Sequence, residues 1–391
     1  MSIKHIVIAP DSFKESMSAK QASLAIKEGF ERVFNNTVHY ELIPMADGGE
    51  GTTAALVEAL NADWRYIRVR DPLSRPIMAG YAITPNKDTA IIEMAAASGL
   101  HLVQTSERNP LITSTIGTGD IILDALNQGV KRIILGIGGS ATNDGGAGML
   151  TALGVQFLDN NHQILPQGGG ALAQLSKIDS TNLDKRLAKV TFKVACDVTN
   201  PLLGLQGASV VYGPQKGATE KMIPKLDSAL ANYHDKIKIA LNKDVKDIPG
   251  AGAAGGLGTG LLAFCQVTMM KGIELVLEET QFKSYAAQAN LVITGEGKID
   301  GQTIYGKTPI GVAKAAKQFH CPVIAICGSL GDNYEAVYHH GIDSVFSIIE
   351  QPETLDHLLE HGYDNMVKTA ENIARLIKLS SSFQLLNKQN N

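Results

Sequence analysis

The chain has 391 residues, 44% hydrophobic and 19% charged residues, and a formal net charge of −4. This balance is typical of a globular protein, gives no sign of a nucleic-acid-binding or membrane-binding surface, and at this length favours two domains. The four cysteines show no CxxC pair or zinc-like spacing, which indicates buried thiols in a reducing compartment. The first residues, "MSIKHIVIAPDSF", are expected to form a strand and not a signal peptide, and no window approaches the ~20 apolar residues of a membrane helix. We therefore expect a cytoplasmic protein.

Strands and helices alternate at the start of the chain. "IKHIVIAP" predicts a strand, and a helix follows from about Ser18, where Ser18 and Gln21 match the capping-box pattern. "HYELIP" predicts a second strand, "TTAALVEAL" a second helix and "WRYIRV" a third strand. This β-α-β-α-β order is typical of a parallel, doubly wound sheet.

The pattern changes after "VRDPLSRP" and returns near the end. Two hairpins are predicted, with turns near Asn86 and at Asn160–Asn161. The final part then alternates again: "ANLVIT", a helix from about Pro309, "CPVIAIC", "DSVFSII" and a helical stretch over 354–379. We predict an α/β protein with two lobes. One is a doubly wound parallel domain built from both chain ends (1–79 and 286–391), and the other is an inserted mixed α/β domain (80–285).

The segment "GIGGSATNDGGAGML" (136–150) carries six glycines in fifteen residues after the apolar run "RIIL". A strand ending near Gly136 and a helix starting near Asn143 or Asp144 would offer unpaired N–H groups to a phosphate. A tight structural turn is the alternative, and Asp144 suits a helix cap equally well. The second glycine run, 250–260, fits either a nucleotide-facing loop or close helix packing.

Acidic side chains recur beside glycines where strands are predicted to end. They are Asp11 with Ser12 and Lys14, Asp47 with Glu50, Asp197 with Asn200, and Glu296 with Asp300 and Lys307. Any one of these carboxylates is more often structural than functional. Their recurrence favours a bound cation, because Mg²⁺ is typically held by one or two carboxylates together with phosphate oxygens. Carboxylates, lysines and glycine loops together indicate phosphoryl transfer.

Two short motifs match known patterns without the required context. "GQTIYGKT" (301–308) satisfies the Walker A expression, but six residues separate it from a strand predicted to end at Thr294. "HLLEH" (357–361) spells a zinc-protease pattern, but a third ligand is missing nearby, which favours a solvated helix face.

The chain resembles the bacterial glycerate kinases of the first family. The resemblance rests on ordered blocks between residue 8 and about residue 313: "IAPDSFKESMSA", "PMADGGEGT", "RDPLSRP", "GIGGSATNDGGAGML", "CDVTNPLLG", "GAAGGLG" and "TGEGKIDGQTIYGKTPIGVA". It implies a flavodoxin- or Rossmann-like lobe with an inserted α/β lobe. It also implies ATP-dependent phosphorylation of D-glycerate to 2-phosphoglycerate with Mg²⁺, by an enzyme that is not a P-loop kinase.

Within that resemblance we infer individual roles. The phosphates are placed at Gly138, Gly139, Ser140 and Thr142, with Lys14 or Lys307 over them. Mg²⁺ is assigned to Asp47 and Glu296, directly or through water. The acceptor of the hydroxyl proton is Asp197, with Asp300 in reserve.

The substrate needs a cation for its carboxylate as well. Arg70 or Arg75 is assigned to it, with a surface ion pair as the alternative for both, and Asp11 and Ser12 are placed among the substrate-binding residues. Other functions stay open: a kinase for another small hydroxy acid, formation of 3-phosphoglycerate, a binding protein without turnover on the same fold, and a true P-loop enzyme.

Overall fold

The computed structural model describes residues 3–46 and 52–389, with backbone only at residue 36 and over 380–389. It divides into two compact units. The first unit is Met1–Asp47 with Ala54–Leu60 and Ile273–Asn391, and the second unit is Gly48–Thr53 with Asn61–Gly272. The predicted domain bounds, 1–79 with 286–391 for one domain and 80–285 for the other, stay a prediction.

The elements are numbered in chain order. The strands are β1 (His5–Pro10), β2 (His39–Leu42), β3 (Asp63–Arg70), β4 (Pro76–Ile83), β5 (Thr89–Glu93), β6 (Arg132–Gly136), β7 (Gln156–Leu158), β8 (Lys177–Asp179), β9 (Thr191–Ala195), β10 (Gln266–Met270), β11 (Leu291–Ile299), β12 (Val323–Leu330) and β13 (Ser344–Ser347). The α-helices are α1 (Ala19–Phe34), α2 (Thr52–Ala59), α3 (Ala95–Ser98), α4 (Ile116–Asn127), α5 (Ala147–Ala152), α6 (Ala208–Tyr212), α7 (Ile223–Leu241), α8 (Ala253–Phe264), α9 (Gly272–Glu279), α10 (Phe282–Ala286), α11 (Thr308–Lys317), α12 (Leu355–Glu360) and α13 (Gly362–Gln389).

The first unit is built on a parallel sheet of order β13-β12-β11-β1-β2. Numbered within the unit, this order is 2-1-3-4-5, the flavodoxin-like arrangement whose ligands bind at the switch point between its first and third strands. Here those strands are β1 and β11. The predicted α/β class with a parallel sheet made from both chain ends is confirmed.

Helix α1 covers this sheet for reasons visible in the sequence. Ser18 caps its first turn and Gln21 bonds back to the Ser18 N–H, so the predicted capping box is confirmed. The apolar face of α1, including Ile26 and Phe30, is buried with Ile6 and Ile8 of β1 in the core of the unit. Burial of such side chains is the main stabilising term of the packing.

The second unit contains a mixed sheet of order β10-β9-β6-β5-β4-β3, in which β10, β9, β6 and β5 are parallel and the last two strands antiparallel. The hairpin predicted around Asn86 is confirmed as β4 and β5. The expected role of "WRYIRV" as a third strand of the first sheet is wrong. Those residues form β3, which pairs with β4 because Asp71 closes a tight turn by accepting the N–H groups of Leu73 and Arg75, both at 2.8 Å.

In each unit the parallel strands end at one edge of the sheet. In the first unit Pro10 lies opposite Gly295, and in the second unit Gly136 lies opposite Ala195. The residues that follow these pairs are the ones in position to contact a ligand. Among the helices that the structure describes, none is long and apolar enough to cross a membrane.

The contact between α1 and α13 depends on a glycine. A Cβ on Gly29 would lie 2.4 Å from the Val367 carbonyl oxygen and 2.7 Å from the Ala370 Cβ. Gly29→Ala is therefore expected to force the helices apart and lower the free energy of unfolding by about 1–3 kcal/mol. Urea unfolding followed by circular dichroism measures this change. The exposed α1 substitution Leu24→Gln serves as the control, with an expected change within about 0.5 kcal/mol. Equal midpoints for Gly29→Ala and the parent would contradict the packing described.

Candidate active site

Two carboxylates lie together at the switch point of the first unit. Asp11 directly follows β1, and Glu296 lies one position beyond the Pro10–Gly295 pair on β11. Asp11 accepts hydrogen bonds from the Ser12 N–H at 2.6 Å and from the Thr308 hydroxyl. Glu296 accepts one from the Thr303 hydroxyl at 2.7 Å. The structure therefore brings together residues from two of the predicted sets.

Lysine and hydroxyl groups partly balance these acids. The Lys307 Nζ lies 3.4 Å from the Glu296 Oε2, and the Glu296 side chain is 12% exposed. Burial raises the pKa of Glu296 to about 7, the negative field of Asp11 adds to the rise, and Thr303 and Lys307 oppose it. This carboxyl group therefore changes its charge near neutral pH.

Asp300 and Lys14 lie near these groups: the Asp300 N–H donates to the Thr303 hydroxyl at 3.1 Å, and Lys14 shares a pocket with Gly297, which follows Glu296. Asp300 accepts the Gln302 N–H at 2.9 Å, and this bond holds the pKa of Asp300 below its ordinary value. Lys14 lines a pocket of about 120 Å³ with Ser16 and Ser329 and with apolar side chains of residues 348–359. Among the contacts that the described residues make, Lys14 has no ion pair with Glu296, and Asp300 lies 3.5 Å from the Lys298 Nζ.

A second pocket lies at the strand ends of the second unit and encloses about 240 Å³. Its lining includes residues that the sequence predicts for the functional site. They come from two loops, one after β6 and one after β9. Its lining is Ile137, Gly138, Gly139, Ser140, Ala195, Cys196, Asp197, Val198, Tyr212, Gln215, Lys216, Ala253 and Ala254. Because Gly138 has no atom within 4 Å of the place of a Cβ, its backbone is open to close approach by a ligand.

Lys216 is the residue of this pocket that the sequence analysis missed. Its side chain is buried, and its Nζ donates to the Ser140 Oγ and to the Thr142 carbonyl oxygen, both at 2.7 Å. The surrounding "GPQKGAT" has the composition of an exposed turn, so no local pattern indicated a buried lysine. Asp197 faces the same pocket and accepts the Gly272 N–H at 3.0 Å.

The helix N-terminus expected to bind a phosphate is closed by a side chain of the protein. The predicted helix start at Asn143 or Asp144 is wrong, because Gly145 and Gly146 have φ of +65° and +79° and α5 begins at Ala147. The Asp144 carboxylate accepts the N–H groups of Gly146 and Gly148, both at 3.1 Å. Asp144 is not the N-cap residue, which is Gly146, but its carboxylate binds donors at the start of α5 and also accepts the Thr115 N–H at 2.8 Å.

The glycine run 250–260 packs closely against the same loop. A Cβ on Gly255, whose φ is +67°, would lie 1.9 Å from the Thr142 carbonyl oxygen. The Gly145 N–H donates to the Gly255 carbonyl at 3.0 Å. Close packing therefore explains these glycines, although Ala253 and Ala254 reach the pocket lining.

Both predicted substrate arginines are held by carboxylates of the second unit. The Arg70 guanidinium makes two bonds to Asp120, and the Arg75 guanidinium lies 2.6 Å from Asp71 and 3.1 Å from Glu107. The ion-pair alternative describes them better than a substrate clamp. Asp47, the other predicted Mg²⁺ ligand, and Glu50 lie outside the described residues.

The first part of the Walker-like segment, residues 301–305, does not form a phosphate cradle. The strand before it is longer than predicted, since β11 stays paired with β12 as far as Ile299. Four of its N–H groups donate to acceptors of the chain itself: Gly301 to the Asp332 carbonyl, Gln302 to Asp300 Oδ1, Thr303 to the Asp300 carbonyl and Tyr305 to the Gln302 carbonyl. They are therefore unavailable to a phosphate in this conformation.

The "HLLEH" segment is a helix surface. The rings of His357 and His361 are stacked with centroids 4.0 Å apart, and His357 pairs with Glu353. Within 3–46 and 52–389 no group of three histidine, cysteine or acidic side chains is arranged to hold a metal ion.

Comparison with known proteins decides the family. The profile of the glycerate kinase family matches residues 6–378. The chain belongs to this family. A glycerate kinase of Halalkalibacterium halodurans is 55% identical over 369 residues, which cover 94% of this chain and 97% of that protein. The glycerate 2-kinase of Escherichia coli K12 is 50% identical over 374 residues, which cover 96% of this chain and 98% of that protein.

A solved structure supports the same conclusion about the fold. The crystal structure of a Salmonella typhimurium LT2 protein named glycerate kinase 2 superposes with a TM-score of 0.90 at 48% identity, covering 97% of this chain and 100% of that one. The family resemblance drawn from the sequence blocks is confirmed, as is the α/β fold class.

The raised pKa of Glu296 predicts a pH dependence of stability. The folded carboxyl group has a pKa of about 7, against 4.5 for its ordinary value, so the folded state binds more protons between these limits. Stability is therefore lost as pH rises from about 4.5 to about 7. Glu296→Gln, which cannot ionise, is expected to remove this loss. The measurement is the free energy of unfolding at pH 4.5 and pH 8, without metal ions.

The exposed Glu335→Gln is the matched control and is expected to keep the pH dependence of the parent. If the parent and Glu296→Gln lose the same free energy over this interval, the assignment of the raised pKa to Glu296 is wrong.

Proposed function

We propose that the protein transfers the γ-phosphoryl group of ATP to the 2-hydroxyl of D-glycerate, giving 2-phosphoglycerate and ADP. The observation that carries this proposal is family membership over nearly the whole chain, including 50% identity to a glycerate 2-kinase. The acidic strand ends of both units supply the residue types that phosphoryl transfer requires.

Proton removal from the attacking hydroxyl is assigned to Asp197. This carboxylate follows β9 and lines the pocket of the second unit beside Ser140 and Lys216. A base must lie within hydrogen-bond reach of the hydroxyl, and a pocket of about 240 Å³ is large enough for a three-carbon acid. Asp300 stays the reserve candidate for this role.

The carboxylates of the first unit suit Mg²⁺. Asp11 and Glu296 lie at one strand edge. Burial raises the pKa of Glu296, the field of Asp11 adds to the rise, and a bound cation relieves both costs of the charged form. Two carboxylates are a usual protein contribution to Mg²⁺, the remaining positions being filled by phosphate oxygens and water. Bound there, the ion would neutralise negative charge on the phosphates. Asp47 stays a predicted ligand of the same ion.

The phosphate contacts follow the predicted residues. Lys307, at the start of α11, is placed to bind a phosphate oxygen once a cation takes over its partner Glu296. In the second unit, Gly138, Gly139 and Ser140 present open backbone and a hydroxyl to the pocket. The assignment of Arg70 or Arg75 to the substrate carboxylate stays a prediction, and their ion pairs with Asp120, Asp71 and Glu107 fit the alternative.

The cytoplasm is the proposed location. All four cysteines are free thiols, and Cys265, Cys321 and Cys327 are buried. Free thiols suit a reducing compartment, where ATP is also available.

The reaction is tested by a coupled assay for ADP release with ATP, Mg²⁺ and D-glycerate. L-Glycerate and other small hydroxy acids are run in parallel, and phosphorus NMR of the product distinguishes the 2-phosphate from the 3-phosphate. Turnover of D-glycerate to the 2-phosphate is expected. No turnover of any acid, although ATP binds, would contradict the function and leave a binding protein.

Asp197→Asn tests the proposed base. The amide has a similar shape but cannot accept the hydroxyl proton, so kcat is expected to fall by about 10²–10⁴-fold with unchanged thermal stability. Asp235→Asn, an exposed substitution on α7, is the control and is expected to keep the activity of the parent. Parent-like turnover by Asp197→Asn would transfer the role to another group.

A further inference from the structure

Lys216 is a buried cation in the wall of the second unit's pocket. Lys216 is only 2% exposed, and its side chain reaches the pocket from the turn that follows α6. Two of the three ammonium protons go to the Ser140 Oγ and the Thr142 carbonyl oxygen, both at 2.7 Å. The protonated form of Lys216 has three donors, so in that form one donor is left for another acceptor.

The charge of this ammonium has no directly bonded counter-charge in the described parts of the chain. The ion pairs there leave Lys216 out, and its two acceptors are a neutral hydroxyl and a neutral carbonyl. Asp144 is the acid whose field acts on it, but that carboxylate is bound by Thr115, Gly146 and Gly148. A buried charge without a bonded partner is costly, so such sites are normally paired with an opposite charge.

A purely structural role for Lys216 would explain its two hydrogen bonds but not the burial of a charged group. A neutral amide side chain can donate to both Ser140 and Thr142 without the cost of burying an ammonium. A positive charge at Lys216 suits the binding of an anion that enters the pocket. The open backbone at Gly138 leaves room for one beside the ammonium.

We propose that Lys216 binds an anionic oxygen of one of the two substrates in this pocket, either a nucleotide phosphate or the carboxylate of the hydroxy acid. The inference rests on the proposed function and adds to it a cation in the pocket of the second unit. Ser140 holds the ammonium in place, which gives this residue of the glycine loop a positioning role.

The test compares the parent with Lys216→Met and Lys216→Gln. Lys216→Met keeps the length of the side chain without its charge, and Lys216→Gln keeps a donor for Ser140. The exposed Lys221→Met, five positions away, is the matched control. Calorimetry measures the binding of Mg²⁺–ADP and of D-glycerate separately, and circular dichroism measures the thermal midpoint of each variant.

Both Lys216 variants are expected to bind one of the two ligands at least about tenfold more weakly and the other normally. Loss confined to Mg²⁺–ADP identifies the phosphate, and loss confined to D-glycerate identifies the carboxylate. Either result supports the proposal. Unchanged affinities, or equal weakening of both ligands together with a lower thermal midpoint, would overturn it in favour of a purely structural role. A parent protein that binds neither ligand contradicts the proposed function itself, and the inference then falls with it.

A measurement on the unmodified protein covers the case in which both variants fail to fold. Burial lowers the pKa of Lys216 to about 7, opposed by Asp144. Other groups that face this lysine are Asp197, Cys196 and Tyr212 in the pocket wall and Arg108, which donates to the Gln215 carbonyl. Burial raises the pKa of Cys196 and of Tyr212, so both stay neutral near pH 8.

The affinity for the ligand that Lys216 binds is therefore expected to fall as pH rises from 7.5 to 9, by up to about tenfold per pH unit, because the free protein loses the ammonium proton. The affinity for the other ligand should be constant over the same interval. Equal constancy for both ligands would overturn the proposal.

Discussion

Parallel pairing between β1 and β11 is the constraint on which the first unit depends. It joins residues 6–10 to residues 291–295, so that segments from opposite ends of the chain form the centre of one sheet. The register also sets the electrostatics, since it brings the carboxylates of Asp11 and Glu296 to the same edge. Two such groups repel each other, and the structure relieves this with the Thr308 and Thr303 hydroxyls and the Lys307 ammonium.

The two units place opposite kinds of charge at equivalent places. At the strand ends of the first unit, carboxylates are the least compensated groups, and they suit a cation. In the second unit the ammonium of Lys216 bonds to two neutral acceptors among the described residues, which suits an anion. A kinase must handle both a metal ion and several anionic oxygens. The same sheet-edge geometry therefore serves different binding tasks, according to which side chains follow the strands.

The sequence predicts the fold better than it predicts the site. Local patterns are sufficient for α1 with its Ser18 cap and for the hairpin of β4 and β5. They fail for β3, whose sheet is decided by the turn at Asp71, and for the end of β11, which is set by pairing with the distant β12. Carboxylates at strand ends follow from the strand pattern, so Asp11, Asp197 and Glu296 could be found. Lys216 could not be found from local patterns, because its burial comes from contacts with residues about 75 positions earlier in the chain. The ion pairs that Arg70 and Arg75 make could not be predicted from local patterns either.

Because the first unit is built from both ends of the chain, its parts are synthesised at different times. Synthesis delivers the second unit's sheet, from β3 to β10, as one uninterrupted stretch before β11 exists. Strand β1 meanwhile lacks the strand that later pairs with its residues 6–10. On the ribosome, which extends the chain from its N-terminus, the second unit can therefore reach its native pairing first. The first sheet stays incomplete, with an open strand edge, until β11 emerges. Until then the unpaired N–H and C=O groups of β1 are exposed to pairing with other strands.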